Sequence, residues 1–210
     1  MQLFARLEAV TEATAGHRER KKQQTREAIA RAGLDLFVER GYEATTLAEI
    51  AEAAGVSTRT IFAYFPSKED ILFCDFEALR ASLAQALAER PGGKDALGTL
   101  RDFIVSVAAD KTDLDDKVES IVATNETLHS HRRARLSQLR ELLAAAIAAD
   151  LGAGPDDFRP QVAAASLTAA FEALEVHDRK PSPHTPEQVA AAVDPIFAFV
   201  RAGLQALLRD

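Results

Sequence analysis

Apolar residues recur along this chain at intervals of three and four, with few alternating runs, which is the periodicity of helices buried on one face. The sharpest stretch is TLAEIAEAAGVSTRTIFAYFPSK, from Thr46 to Lys68. Thr46 and Glu49 have the spacing of a capping box, in which each side chain satisfies an amide left unpaired at a helix start, so a helix is predicted from about Leu47. Ile50, Ala51 and Ala54 follow at helical spacing, and Gly55 stands where the helix end needs a residue tolerant of positive φ. Ser57 offers a cap to a second helix, whose Ile61, Phe62 and Phe65 are expected to face inward and which Pro66 stops. Ser67 with Asp70 gives a third start, opening a tract that reads as one long fourth helix. Small Ala51 where two short helices would cross, with Ile50, Ala54, Val56 and Ile61 around it, is the pattern of a helix-turn-helix; the alternative is a plain helical hairpin.

Pro91-Gly92-Gly93 breaks the pattern, and further helical tracts are predicted near residues 95–110, 113–128, 131–151, 160–178 and 186–208. Their separators are Lys111-Thr112-Asp113, Gly152-Ala153-Gly154-Pro155 and Lys180-Pro181-Ser182-Pro183. The sum is an all-α fold of about nine helices. No charge falls between Pro160 and Phe171, and the last tract carries a stripe of Val189, Val193, Ile196, Phe197, Val200, Leu204 and Leu207. Thr185-Pro186-Glu187-Gln188 caps that tract, while Pro195 inside it is expected to kink or interrupt it. Helices apolar on so many sides need cover. Residues 160–178 and 186–208 are therefore expected to meet a second copy, unless they only close a monomer core.

Composition changes the picture mainly through charge. The 210 residues are acidic overall, at −7, and 47% hydrophobic, enough for a substantial core. Yet residues 1–68 hold 10 Lys+Arg against 9 Asp+Glu, and the remainder 15 against 23. A flexible arm is expected over residues 1–17, and the basic cluster His17 to Lys22, as an arm before the first helix, is expected to lie along phosphates or reach into a minor groove, the alternative being a solvated tail. The single Cys74 excludes an internal disulfide, suits a reducing cytoplasm and is expected on the buried face of the fourth helix. No apolar run is read as long enough to cross a bilayer, and the basic residues near the start follow a short apolar patch rather than precede it, unlike a secretory signal. A cytoplasmic protein without a membrane partner is the expectation.

If Ile61, Phe62 and Phe65 face inward, Thr58, Arg59, Thr60, Ala63 and Tyr64 remain for a DNA major groove about 12 Å wide. Arg59 is the candidate base reader, because a guanidinium can bind guanine O6 and N7 together. Ser57, Thr58 and Thr60 can donate to phosphate or base edges, and Tyr64 to phosphate. Between residues 95 and 151, apolar Phe103, Ile104, Val107, Ile121, Val122, Leu128 and Leu139 lie near polar Asn125, Glu126, His129 and Arg132, which suits a hydrophobic small molecule with one polar end. Phe103, Val107, Ile121, Asn125, His129 and Phe171 are the candidate ligand contacts. Glu126-Thr-Leu-His129 has the spacing of a di-iron carboxylate half-site, but no other histidine has a glutamate three residues before it. A single ion on Glu126, His129 and His131 is the alternative to no metal. Nucleophile-elbow and phosphate-loop motifs are absent, so neither catalysis nor a cofactor is expected.

Residues 20–68 resemble the DNA-binding domain of the TetR family of bacterial repressors, through LFVERGYEATTL, IAEAAGVS and YFPSKEDIL. The resemblance implies a DNA-binding domain over residues 18–68 and a ligand-binding and dimerisation domain over 69–210. It implies that Thr46 and Lys68 anchor the DNA backbone, and that the last two helices of each subunit form a four-helix homodimer interface. Such a protein is expected to be a repressor that binds a palindromic double-stranded operator and is released by a small-molecule effector; the alternative is a DNA-tethered protein adaptor with no such ligand. One departure is Phe62, where many members carry tyrosine, so a phosphate contact through that hydroxyl is missing here. STRTIFAYFPSKED and RARLSQLRELLAAAIAADLGAGPDDFRPQVAAA also resemble a TetR subgroup that senses acyl-CoA thioesters or similar lipids.

Overall fold

A computed structural model describes residues 16–90, 92–177 and 185–208. Among these residues the chain forms ten helices and no strand: α1 His17–Arg40, α2 Leu47–Ala53, α3 Thr58–Tyr64, α4 Lys68–Leu72, α5 Phe76–Ala88, α6 Ala96–Ala109, α7 Asp113–Ala123, α8 Glu126–Leu151, α9 Arg159–His177 and α10 Pro186–Leu207. They gather into two compact units, one running to Ala78 and including residues 112–132, the other formed by residues 79–111 and those from Arg133 onward.

The first unit closes on Ile29 and Phe37 of α1, Ile50 of α2, Ile61 of α3, Phe65, and Ile71 of α4, all essentially inaccessible to solvent. Gly33 lets α1 and α4 touch, since a Cβ there would come within 2.5 Å of the Ile71 Cγ2 methyl. Val122 of α7 and Leu128 of α8 are buried in the same core, with Val118 and Ile121 packed against it. Residues 112–132 thus belong with the N-terminal helices, and the division at residue 68 expected from the sequence is displaced.

Three further boundaries differ from expectation. The long fourth helix is two helices, α4 and α5, joined by a turn in which Cys74 N–H bonds to Ile71 O and Phe76 N–H to Phe73 O. Arg26 Nη2 donates to Cys74 O at 3.3 Å, giving that carbonyl a partner outside the helix. This accounts for ten helices rather than nine. Cys74 is buried as expected, but in the turn, and burial pushes its thiol far above the usual range. The break after α7 falls at Thr124-Asn125, where Asn125 Oδ1 accepts the Leu128 N–H at 3.1 Å and caps α8. His17–Lys22, expected in an arm, is the opening of α1, built from residues that favour helix. The rest of that arm, Pro91 and the Lys180–Pro183 separator lie outside the described residues.

The second unit packs α6 and α9 against α10, around Leu97, Leu100, Ala164, Leu167, Val193 and Phe197. Asp95 caps α6 through the Gly98 N–H at 2.8 Å and pairs with Arg201 of α10, whose guanidinium holds its carboxyl below the usual range. Arg101 grips Asp194 with two bonds of 2.7 and 3.0 Å. The capping box at Thr185 is present, and α10 continues through Pro195 without interruption.

The apolar stripe of α10 needs a correction. Val189, Val193, Phe197 and Val200 are buried within the protomer, Ile196 and Leu204 pack beside them, and only Leu207 is exposed. By length and composition α10 could cross a membrane, contrary to the sequence reading. It packs one face against α6 and α9 and carries Asp194 and Arg201, each ion-paired to the α6 end of the unit.

Candidate nucleic-acid interface and ligand cavity

Helix α3 has seven residues and stands on a core made by its neighbours. Ser57 Oγ accepts the Thr60 N–H at 3.1 Å and lies 2.8 Å from the Thr60 hydroxyl, so both oxygens already serve the helix start. Thr58, Arg59, Phe62 and Ala63 are exposed, Thr60 and Tyr64 half-buried, and only Ile61 is sealed within the helix. Phe62 therefore does not face inward: its side chain is 55% exposed. Residues 58, 59, 62 and 63 share one face by helical spacing.

The flanking anchors are held internally. Thr46 and Glu49 form the expected capping box, with the Thr46 N–H and hydroxyl each 2.8 Å from Glu49 Oε2. The Thr46 backbone bond, then its hydroxyl, hold the Glu49 carboxyl below the usual range. Lys68 Nζ donates to Tyr42 O at 2.7 Å and Thr45 O at 3.0 Å, and sits 4.1 Å from the centre of the Tyr42 ring. The ammonium thus ties α4 to the α1–α2 connection rather than pointing openly into solvent. Tyr42 in turn donates to Glu69 Oε1 at 2.6 Å; burial, reinforced by that carboxylate, raises the phenol well above its ordinary range, so it stays a donor.

Arg26 is a site residue that spacing did not find. Its guanidinium lies 4.5 Å over the Phe65 ring, and Nη1 donates to Tyr64 O at 3.3 Å while Nη2 takes Cys74 O. It secures the last turn of α3 from α1. Lys22, Gln23 and Arg26 also line a polar notch beside Ala63 and Tyr64, so the basic opening of α1 lies next to the end of the reading helix.

The second unit contains a cavity of about 360 Å³. Its wall is mainly apolar, from Leu83, Leu100, Phe103, Val107, Leu139 and Phe171, and Lys111, Arg140, Thr168 and Glu172 add polar groups. Phe171 also meets Phe197 edge-on at 6.1 Å. Of the candidate ligand contacts, Phe103, Val107 and Phe171 come together here. Ile121, Asn125 and His129 do not, because the first unit claims them. Ile121 packs on its core, Asn125 Nδ2 donates to Glu43 Oε1 at 2.7 Å, and His129 Nε2 lies 3.1 Å from Ala123 O. Among the described residues no three His, Cys, Asp or Glu side chains form a group fit to hold a metal ion.

Two short helices, α2 and α3, packed on α1 and α4 with one face of α3 left exposed, define a helix-turn-helix protein, here joined to an all-helical unit with its own cavity. The chain belongs to the TetR family of bacterial transcriptional regulators. The family described as bacterial regulatory proteins, tetR family, matches residues 29–73, and the MftR C-terminal domain matches residues 96–205. The transcriptional regulator TcmR of Streptomyces glaucescens is 32% identical over 169 residues, spanning 76% of this chain and 73% of that protein. In structure the chain is similar to native NalD, the secondary repressor of the MexAB-OprM multidrug efflux pump in Pseudomonas aeruginosa, with a TM-score of 0.60 over 84% of this chain and 96% of that one at 23% identity. It is likewise similar to Thermus thermophilus FadR, solved with lauroyl-CoA, with a TM-score of 0.51 over 81% and 92% at 26% identity.

Proposed function

We propose that this regulator is a repressor that binds a palindromic operator as a homodimer and leaves it when an apolar small molecule enters the cavity of the second unit. The observation that carries this reading is the cavity itself: a concavity of about 360 Å³, partly open to the surface and walled by Phe103, Val107 and Phe171, has the size and apolar lining of a small-molecule site. Lys111 and Arg140 outnumber the one carboxylate, Glu172, on its lining and suit a ligand whose polar end is anionic, and FadR with lauroyl-CoA is a similar protein holding a molecule of that description.

On the DNA side, Arg59 and Thr58 read base edges, and Tyr64 with Ser57 and Thr60 contacts the backbone. Thr46 contributes chiefly by capping α2, since its N–H and hydroxyl both donate to Glu49 Oε2. Lys68 contributes chiefly by holding the α1–α2 connection, since its ammonium is occupied by two carbonyls. Dimerisation uses the outward faces of α9 and α10. Val162 on α9 and Phe199, 70% exposed on α10, stand there among small residues, and two reading heads would then reach major grooves about 34–36 Å apart. A ligand that prefers one spacing of the heads shifts the population away from the DNA-fitting state.

The test is a fluorescence anisotropy titration against DNA recovered by selection from a random duplex pool, repeated with saturating dodecanoate and lauroyl-CoA. Release of the selected duplex by either lipid is the expected result. Unchanged DNA affinity, together with no lipid-induced rise in melting temperature, would favour the protein-adaptor reading.

A further inference from the structure

The reading face of α3 carries one side chain whose chemistry is out of place on a polar surface. Among the described residues of the first unit, Phe62 is the one large apolar side chain left exposed; Phe158, Val162, Phe199, Leu207 and Leu208 all belong to the second unit. It stands one helical turn from both Thr58 and Arg59, so a groove that admits Arg59 brings the Phe62 ring against base edges too. Its neighbours on the core side are already fixed, with Ile61 and Phe65 sealed and Arg26 stacked on Phe65, so the ring has no internal site to turn into without displacing them. Phenylalanine has no hydrogen-bonding group. In the major groove, the apolar feature that distinguishes one base pair from another is the thymine 5-methyl.

We propose that Phe62 is a specificity-determining residue that reads thymine through that methyl group, one base step or so from the position read by Arg59. Burying a methyl against a ring gains what transferring one methylene-sized group from water gains, about 3–5-fold in affinity per contact. A dimer would make the contact once in each half-site. The assignment rests on the DNA-reading function proposed above, and the experiment separates the two.

Full-length protein is used to select duplexes from a random pool, and the enriched duplex is then synthesised with deoxyuridine in place of each thymine in turn, which removes only the methyl. The expected result is one thymine per half-site whose replacement weakens binding of the parent protein about 3–5-fold. Phe62→Ala should bind the thymine and uracil duplexes equally at that position, while Phe62→Tyr, which keeps the ring, should retain the difference. The side chain is on the surface, so both variants should melt with the parent. If every uracil duplex binds the parent as well as thymine DNA, or if Phe62→Ala keeps the full methyl dependence, the assignment is wrong while specific DNA binding stands. If no duplex is enriched over shuffled DNA, the DNA-reading function itself fails and this assignment falls with it.

Discussion

Single residues divide here by whether their polar atoms are already used. Arg59 is exposed on α3, whereas Lys68 is held by Tyr42 O and Thr45 O, so mutating the two should have unlike consequences. Arg59→Ala is expected to lower affinity for the selected duplex by about 5–150-fold, the loss of a bidentate base contact, with little effect on shuffled DNA or on melting. Equal losses on both DNAs in an anisotropy titration would remove its base-reading role. Lys68→Met leaves two half-buried carbonyls without their donor and is expected to cost about 2 kcal/mol in chemical denaturation. A variant as stable as the parent would show that the ammonium is no clamp. The sequence made Arg59 legible because helical spacing alone points it outward. It could not reveal Lys68 as a clamp, nor Arg26, because their partners lie 23 to 48 residues away and no local periodicity encodes them. Phe62 departs from the inward face expected of it because three apolar residues within five positions look like one face, although position 62 lies about 100° around the helix from Ile61.

At the level of elements, helix starts are more legible in the sequence than helix connections. The capping boxes at Thr46, Ser67 and Thr185 all formed, since each needs only a local pair of side chains. The break between α4 and α5 is hidden because no glycine or proline marks Phe73-Cys74-Asp75, and the stripe of α10 suggests a partner because periodicity marks a buried face without saying what buries it. The contact of α1 with α4 gives a direct check. Gly33→Ala would drive a methyl toward the fully buried Ile71, a branched side chain with little room to move, and is expected to destabilise the first unit by about 1–3 kcal/mol in denaturant unfolding. The start of α6 gives a second. Asp95→Ala removes a helix cap, at about 1 kcal/mol. Because Arg201 holds the Asp95 carboxyl below its ordinary value, the stability it adds is present above about pH 4 and is lost as pH falls through the lower folded value. Between pH 5 and 2 the melting temperature should therefore fall more steeply in the parent than in Asp95→Asn. Parallel curves would show that the pair is electrostatically idle.

The whole molecule joins a DNA-reading unit to a unit with a cavity, and α5 and α8 are the helices that run through residues of both. The all-helical class, the helix-turn-helix and the TetR family were all legible, because they follow from periodicity, caps and a contiguous motif. The cavity was half legible. Phe103, Val107 and Phe171 line it, but Ile121, Asn125 and His129 belong to the other unit, since the boundary at residues 111–112 and 132–133 is set by packing that sequence distance does not show. If the outward faces of α9 and α10 make the dimer, Phe199→Arg should yield a monomer by sedimentation at micromolar protein and lose specific DNA binding while melting near the parent. A dimer that survives would place the interface elsewhere. The central claim, sequence-specific DNA binding by this chain, is tested most directly by anisotropy titration of the full-length protein against its selected duplex and a shuffled duplex of the same composition, at two salt concentrations. A preference of about 10³-fold or more at both salts is the expected result, and equal affinity for the two duplexes, falling together as salt rises, would contradict it.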